Sequence, residues 1–242
     1  MAVEIETKWS KPHQKYRLAD GTVVPGTTTV LGVVNKPYLI AWANRMGLDG
    51  IDTNKYVDVL ARAGTLSHEM IQHDLGGEEP DLDDYSSKEI ILATNSFNGY
   101  LEWKERNVFA INTIGIELQL VSEKHCFGGT IDWLGEINGV LTLVDIKTSK
   151  DIYPEHMFQI GGYSILLSEN GYNVNDRMIL NPGRVEGDSV RTRHLGGDKL
   201  IRSQDVFLSA LGLFNAKKMF DRDEEQWVPK PRKTKEKKDA QE

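Results

Sequence analysis

The stretch FGGTIDWLGEINGVLTLVDIKTSK, residues 127–150, predicts two β-strands joined by a tight turn. At its centre lies Asn138-Gly139, the dipeptide most typical of a two-residue hairpin, because both residues accept the positive φ of a type I′ turn. A two-residue turn fixes the pairing of the strands. Ile137 is therefore expected to face Val140 and, further from the turn, Asp132 to face Asp145.

Two carboxylates therefore meet across the predicted hairpin. Counted from the turn, Asp132 and Asp145 form a non-hydrogen-bonded pair with Cα atoms roughly 4.5 Å apart. Lys147 is expected on the same face as Asp145, because side chains alternate along a strand. Like charges directly opposite each other destabilise a sheet, and a divalent cation would satisfy both. The alternative is an exposed hairpin with scattered charges, which the apolar residues of both strands disfavour.

Composition limits the classes of protein that remain. The chain has 242 residues, 39% of them apolar and 27% charged, which fits a globular α/β domain. A single cysteine, Cys126, excludes an internal disulfide and a four-cysteine cluster. The net charge of −7 argues against coating nucleic acid but not against gripping a few phosphates. No apolar run approaches the ~20 residues of a membrane span and no secretory signal precedes the domain, so we expect a cytoplasmic protein without membrane contact.

The region before the hairpin predicts mainly helices. Residues 53–75 have helical apolar spacing, and Gly64 is expected to divide or bend this segment. An acidic run at residues 78–84 predicts a solvated loop. Ser86 and Glu89 form a capping box, which predicts a helix that continues to about Asn107.

Strands and a helix are predicted on both sides of the hairpin. Residues 114–121 alternate, so Ile116, Leu118 and Leu120 are expected on one face of a strand. Pro154 favours the start of a helix that continues to about Glu169. Two further strands and a last helix, at about 202–220, are predicted after it.

This order of elements, with one aspartate in the second strand and Asp-Ile-Lys in the third, resembles the PD-(D/E)XK nuclease superfamily. Further motifs resemble its RecB-like exonuclease branch and cover about residues 22–181. In the family's order they are Gly64–His68 as GxxxH, Glu117 in the strand before the hairpin, the glycine-rich Gly128–Asp132, Asp145-Ile146-Lys147, and Gln159–Tyr163 as QxxxY. The segment 25–31 and Trp42 are also similar to the mitochondrial genome maintenance exonuclease group and its phage relatives.

The resemblance implies a fold and a metal site. The fold is a restriction-endonuclease-like α/β core, with a central mixed sheet flanked by helices and a helical region before it. His68, Asp132, Asp145 and the carbonyl of Ile146 would bind Mg²⁺ or Mn²⁺. A site of mostly oxygen ligands with one imidazole suits these cations.

Roles for the remaining motif residues are also implied by the resemblance. Lys147 would hold or deprotonate the attacking water, and Glu117 would orient metal-bound water or assist a second metal. Gln159 and Tyr163 would position Lys147 and a DNA phosphate. Lys150, which closely follows the active strand, ranks first among the candidates for phosphate binding, which are Arg45, Arg62, Lys104, Arg106, Lys150 and Arg184.

Residues 1–228 are expected to form one nuclease domain, with a helical region at about 37–108 and a catalytic core at about 110–220. The helical region is expected to form a wall or arch that threads a single strand and favours ends. The lysine-rich residues 229–242 predict a disordered basic tail.

The expected function is a metal-dependent DNA exonuclease in replication, recombination or DNA processing, in a phage or bacterial context. Its expected partners are DNA ends, mainly single-stranded segments, and recombination or replication proteins. A flap or branch endonuclease and a catalytically inactive nucleic-acid-binding relative remain alternatives. The inactive relative is disfavoured because His68, Asp132, Asp145 and Lys147 are all present.

Overall fold

A computed structural model describes residues 15–227 of the chain. The predicted basic tail at 229–242 lies outside the described residues. Within them, no helix has the length and apolar character needed to cross a membrane. In chain order the elements are β1 (Tyr16–Arg17), β2 (Val23–Val24), α1 (Thr27–Leu31), α2 (Pro37–Leu48), α3 (Thr53–Asp74), α4 (Ser87–Asn107), β3 (Ile111–Ser122), β4 (Phe127–Ile137), β5 (Val140–Ile146), α5 (Pro154–Glu169), β6 (Asp176–Asn181), β7 (Arg191–His194) and α6 (Gly197–Trp227).

A five-stranded mixed sheet forms the centre of the fold. Its order is β3-β4-β5-β6-β7, and only β5 and β6 are parallel. Apolar residues of α1, α5 and α6 pack in one core cluster with Phe127 and Leu134. Residues of α3 and α4 pack in a second cluster with Trp133 and Val144. The predicted fold class, an α/β fold with a mixed sheet flanked by helices, is confirmed.

The hairpin has the predicted turn and register. Asn138 and Gly139 have φ angles of 53° and 81°, as a type I′ turn requires. The ladder runs from Ile137↔Val140 to Trp133↔Val144 and ends there. The strands therefore separate one residue before the position where the two aspartates would pair.

Strand β3 departs from the predicted alternation at Glu117. Ile116 packs with the core cluster of α3 and α4, whereas Leu118 and Leu120 pack with the cluster of α1, α5 and α6. The expectation that these three residues share a face was wrong. The cause is Glu117, whose φ of 49° lies in the left-handed region and turns the strand over between its neighbours.

Helix α3 is continuous through Gly64, so of the two predicted effects of this glycine, a division or a bend, the division does not occur. A Cβ atom at Gly64 would lie 3.0 Å from Oγ1 of Thr148. The glycine therefore lets α3 approach the segment that follows β5. The predicted capping box of α4 is confirmed, because Ser86 accepts from the amide of Glu89 and its own amide donates to the Glu89 carboxylate.

Candidate active site

The two aspartates lie where β4 and β5 separate. Oδ2 of Asp132 accepts a 2.7 Å hydrogen bond from the amide of Ile146 and so occupies a position that the ladder would otherwise fill. The side chain of Asp145 is fully buried, and its Oδ2 has no hydrogen-bond partner. A buried carboxylate oxygen without a partner costs free energy. The chain thus maintains an unsatisfied acceptor at this end of the hairpin.

Lys147 meets the aspartates from the end of β5. Its Nζ lies 2.7 Å from Oδ1 of Asp145 and 3.4 Å from the carbonyl oxygen of Ile146. Its amide donates a 2.9 Å bond to the carbonyl of Leu180 on the parallel strand β6. This backbone bond fixes where the lysine leaves the sheet.

Burial dominates the electrostatics of this group. It raises the pKa of Asp132 and the pKa of Asp145 to about 6, although the Lys147 charge opposes both shifts. Burial also disfavours the charged lysine, but Asp145 and Asp132 outweigh it and raise the pKa of Lys147. At neutral pH the site therefore holds two carboxylates and one ammonium group.

Helix α3 brings His68 to the same place. Nδ1 of His68 lies 3.8 Å from Oδ2 of Asp132. Nevertheless, no group of three or more His, Cys, Asp or Glu side chains within residues 15–227 is arranged to hold a metal ion. The predicted ligands His68, Asp132, Asp145 and Ile146 are thus neighbours, but their side chains are not closed around a common point.

Glu117 lies beside Asp132, and its negative charge contributes to the raised pKa of that residue. The Glu117 side chain is exposed, and its Oε1 accepts a 2.7 Å hydrogen bond from Nε2 of Gln72 on α3. Sequence reasoning missed Gln72. The available signal was its position four residues after His68, which places both on one face of the helix.

Gln159 and Tyr163 are in direct contact, as their spacing allows. Nε2 of Gln159 donates a 2.7 Å bond to the Tyr163 hydroxyl, and both side chains are buried. Burial and the charges of Asp145 and Asp132 raise the pKa of Tyr163 well above its usual value. A Cβ atom at Gly129 would lie 2.9 Å from the Tyr163 ring, so the glycine-rich stretch of β4 makes room for this side chain.

Several of the candidate phosphate-binding residues have other partners. Arg62 donates to the Glu89 carboxylate at 2.8 Å and to the carbonyl of Asp84, and it lies over the Tyr85 ring. Two other basic residues form ion pairs of 2.6 Å, Lys104 with Asp74 and Arg106 with Glu102. Lys150 is exposed after the end of β5.

An acidic cavity of about 610 Å³ borders Glu117 and Gln72. Part of the predicted solvated loop lines it. The acidic residues around the cavity are Glu69, Glu78, Glu79, Asp81, Asp84 and Glu117. A phosphate backbone would be repelled from this side of the site.

Helix α2 has no buried residue, and Tyr38 near its start contacts the beginning of α5. The ring of Tyr38 stacks on Tyr153 with centroids 5.9 Å apart, and its hydroxyl donates a 2.5 Å bond to Glu155. Lys36 forms a 3.1 Å ion pair with the same carboxylate. These contacts connect the helical region to the first turn of α5, the helix that carries Gln159 and Tyr163.

No family model matches the chain, and no curated protein matches its sequence. Among solved structures, the chain is similar to LHK-Exo, an alkaline exonuclease from Laribacter hongkongensis, at 13% identity and a TM-score of 0.38. The match covers 68% of this chain and 85% of LHK-Exo. The complex of LHK-Exo with dAMP matches over the same shares at a TM-score of 0.37. A second protein, SSO0001, matches at 11% identity and a TM-score of 0.27, over 60% of this chain and 84% of its own. Likenesses this distant do not define an activity.

Proposed function

We propose that this chain is a metal-dependent DNA exonuclease that hydrolyses phosphodiester bonds with Mg²⁺ or Mn²⁺. One observation carries the proposal. Two acidic side chains and a lysine converge where a hairpin separates, and Oδ2 of Asp145 is buried there without a hydrogen-bond partner. A surface charge cluster would not require a buried, unsatisfied carboxylate, whereas a cation site would.

The donor set fits a divalent cation of this kind. His68, Asp132, Asp145 and the Ile146 carbonyl supply one imidazole nitrogen and several oxygens, a set that suits Mg²⁺ or Mn²⁺. When bound, such a cation lowers the pKa of a coordinated water and neutralises charge on the phosphate. Asp132 is already fixed by the Ile146 amide, and Nδ1 of His68 lies 3.8 Å from its Oδ2.

Lys147 acts in this proposal as a cationic donor. Its raised pKa keeps the ammonium group charged at neutral pH, so it would hold the attacking water and offset negative charge that develops on the phosphate. Gln159 and Tyr163 would present a fixed hydroxyl and amide beside the aspartates. Lys150, which is exposed after the end of β5 and does not line the acidic cavity, would contact a phosphate.

The substrate is proposed to be a DNA end, with single-stranded DNA entering beside α2. Support comes from the contacts of Tyr38 with Tyr153 and Glu155, which connect α2 to the start of α5. The proposed setting is replication, recombination or DNA processing in a phage or bacterial cytoplasm. A flap or branch endonuclease is the second candidate, because a wall beside a site also suits a free single-stranded arm.

The direct test incubates end-labelled single- and double-stranded DNA with wild type, Asp145→Ala and Lys147→Ala in Mg²⁺, Mn²⁺ or EDTA. We expect stepwise shortening by wild type, no cleavage in EDTA, and losses of about 100-fold or more in both variants. Undiminished cleavage by both variants would reject the site. Absence of cleavage on every DNA by wild type would favour the inactive nucleic-acid-binding relative.

A covalently closed single-stranded circle separates the two nuclease candidates. An enzyme that requires ends leaves the circle intact and degrades the same sequence once it is linearised. Cleavage of the circle at the rate of the linear form would contradict the exonuclease and favour an endonuclease.

A further inference from the structure

The backbone of Glu117 holds its side chain on an unexpected side of the sheet. In a regular strand Glu117 and Ile116 would point to opposite faces. Ile116 packs toward α3 and α4, yet Glu117 also reaches α3 through its bond to Gln72. The left-handed conformation at Glu117 produces this arrangement, because it places two consecutive side chains on the α3 side.

Such a conformation is unfavourable for a residue with a Cβ atom. The flanking pairs Ile116↔Trp133 and Leu118↔Ile131 keep a common register across β3 and β4. The strained residue therefore lies opposite Asp132, the aspartate whose pKa its charge raises. Strain at this point has a local consequence, which is to bring a third carboxylate next to the site.

Gln72 is well placed to fix that carboxylate. Its neighbour Ile71 is fully buried, and the carbonyl of Leu75 accepts a 3.1 Å bond from the Thr113 hydroxyl of β3. The turn of α3 that carries Gln72 is thus attached to the strand that carries Glu117. An exposed carboxylate would otherwise move among several rotamers, whereas the 2.7 Å bond selects one.

We propose that Gln72 is a positioning residue, which acts by holding Glu117 toward the cation site. The inference rests on the proposed function, because Glu117 matters there only if the site binds a divalent cation. Hydrogen-bond partners of metal-binding carboxylates typically change metal affinity or activity by about 10- to 100-fold when they are removed. Gln72 is such a hydrogen-bond partner of Glu117. It lies four residues after His68, so one face of α3 carries both His68 and Gln72.

A double-mutant cycle on the full chain tests this role. Gln72→Met keeps the shape of the side chain and removes the donor, and Glu117→Ala removes the group on which it acts. Mn²⁺ binding is measured by calorimetry in the wild type, both single variants and the double variant. We expect Gln72→Met to weaken Mn²⁺ binding about 10-fold in the wild-type background and less than twofold in the Glu117→Ala background.

Gln119→Met is the matched control, because Gln119 is an exposed glutamine on the same strand as Glu117. It should leave Mn²⁺ binding within twofold of wild type. Cleavage by Gln72→Met should show a lower kcat with an unchanged KM for DNA. Equal losses from Gln72→Met in both backgrounds, or no loss in either, would overturn the positioning role. Intact Mn²⁺ binding by a wild type that cleaves no DNA would reject the nuclease, while the binding cycle would still decide the role of Gln72.

Discussion

The two ends of the central hairpin differ in whether their polar side chains have hydrogen-bond partners. At the turn, Asn138 accepts from the amides of Phe109 and Ala110 and donates to the carbonyl of Asn107, so its polar groups are satisfied. At the other end the ladder stops, Oδ2 of Asp145 has no partner and Glu117 has a left-handed backbone. One end of the same two strands stabilises the fold, and the other holds unsatisfied and strained groups that a ligand could use.

The largest expected effect is at Lys147. Replacing it with methionine removes a positive charge that opposes the raised pKa values of both Asp132 and Asp145. We expect DNA cleavage to fall by about 100-fold or more, measured as single-turnover rates in Mg²⁺. Lys124→Met, an exposed lysine in the turn before β4, is the control and should stay within twofold of wild type. A similar rate for both variants would refute the role of Lys147.

Asp132→Asn is expected to stabilise the cation-free protein at high pH. The folded-state pKa of Asp132 is raised from 3.8 to about 6, so ionisation opposes folding as the pH rises through this interval. The asparagine keeps an acceptor for the Ile146 amide without the charge. We expect a gain of about 1–3 kcal/mol in unfolding free energy at pH 8 and little gain near pH 4. Urea titrations in EDTA measure both values.

Glu136→Gln is the control for that experiment, because Glu136 is an exposed residue of β4, the strand that also carries Asp132. Its side chain contacts Asn112 at the edge of the sheet and lies away from the aspartates. Its stability difference from wild type should not vary between pH 4 and pH 8. A gain in Asp132→Asn that is the same at both pH values would show that charge burial is not its cause.

Glu117→Asn distinguishes the backbone strain at residue 117 from the contribution of the Glu117 side chain to DNA cleavage. Asparagine tolerates the left-handed region better than glutamate does, so unfolding free energy should stay the same or rise by up to about 1 kcal/mol. Cleavage should nevertheless fall about 10-fold, because the shorter side chain loses Gln72. Gln119 on the same strand does not have a positive φ, so Gln119→Asn should destabilise the strand slightly. Chemical denaturation and cleavage rates test both parts, and a parallel loss of stability and activity in Glu117→Asn would contradict the assignment of strain.

The smallest effect is expected at the turn. Gly139 has a φ of 81° and open space around a Cβ position, so Gly139→Ala should lower the unfolding free energy by about 1 kcal/mol through the backbone alone. Cleavage should change less than twofold. Gly212→Ala in α6, which also has open space, should instead stabilise the protein by about 1 kcal/mol. A large loss of cleavage in Gly139→Ala would break the distinction between the two ends.

Local patterns predicted the turn end of the hairpin well and the separated end only in part. The register follows from Asn138-Gly139, and the capping box of Ser86 and Glu89 is a property of four consecutive residues. The reversal at Glu117 could not be predicted, because the alternation around it favours a regular strand. The contact that follows from it, with Gln72, joins residues 45 positions apart in the chain.

The ion pairs of the helical region depend on tertiary contacts in the same way. From the sequence, Arg62 is a candidate for phosphate binding. In the fold it contacts Glu89 and Tyr85. The stacking of Tyr38 on Tyr153 also joins residues far apart in the chain. Residue types and spacing located the aspartates and the lysine, whereas their partners required the fold.

Calorimetric titration of Mn²⁺ into wild type and Asp145→Asn, at pH 8 and at pH 5, tests most directly whether the separated end of the hairpin is a cation site. If this end is a cation site, we expect saturable binding by wild type at pH 8, weaker binding at pH 5, where both aspartates bind protons, and no binding at this site in Asp145→Asn. Binding of equal affinity by wild type and Asp145→Asn, or no binding by wild type at pH 8, would contradict it.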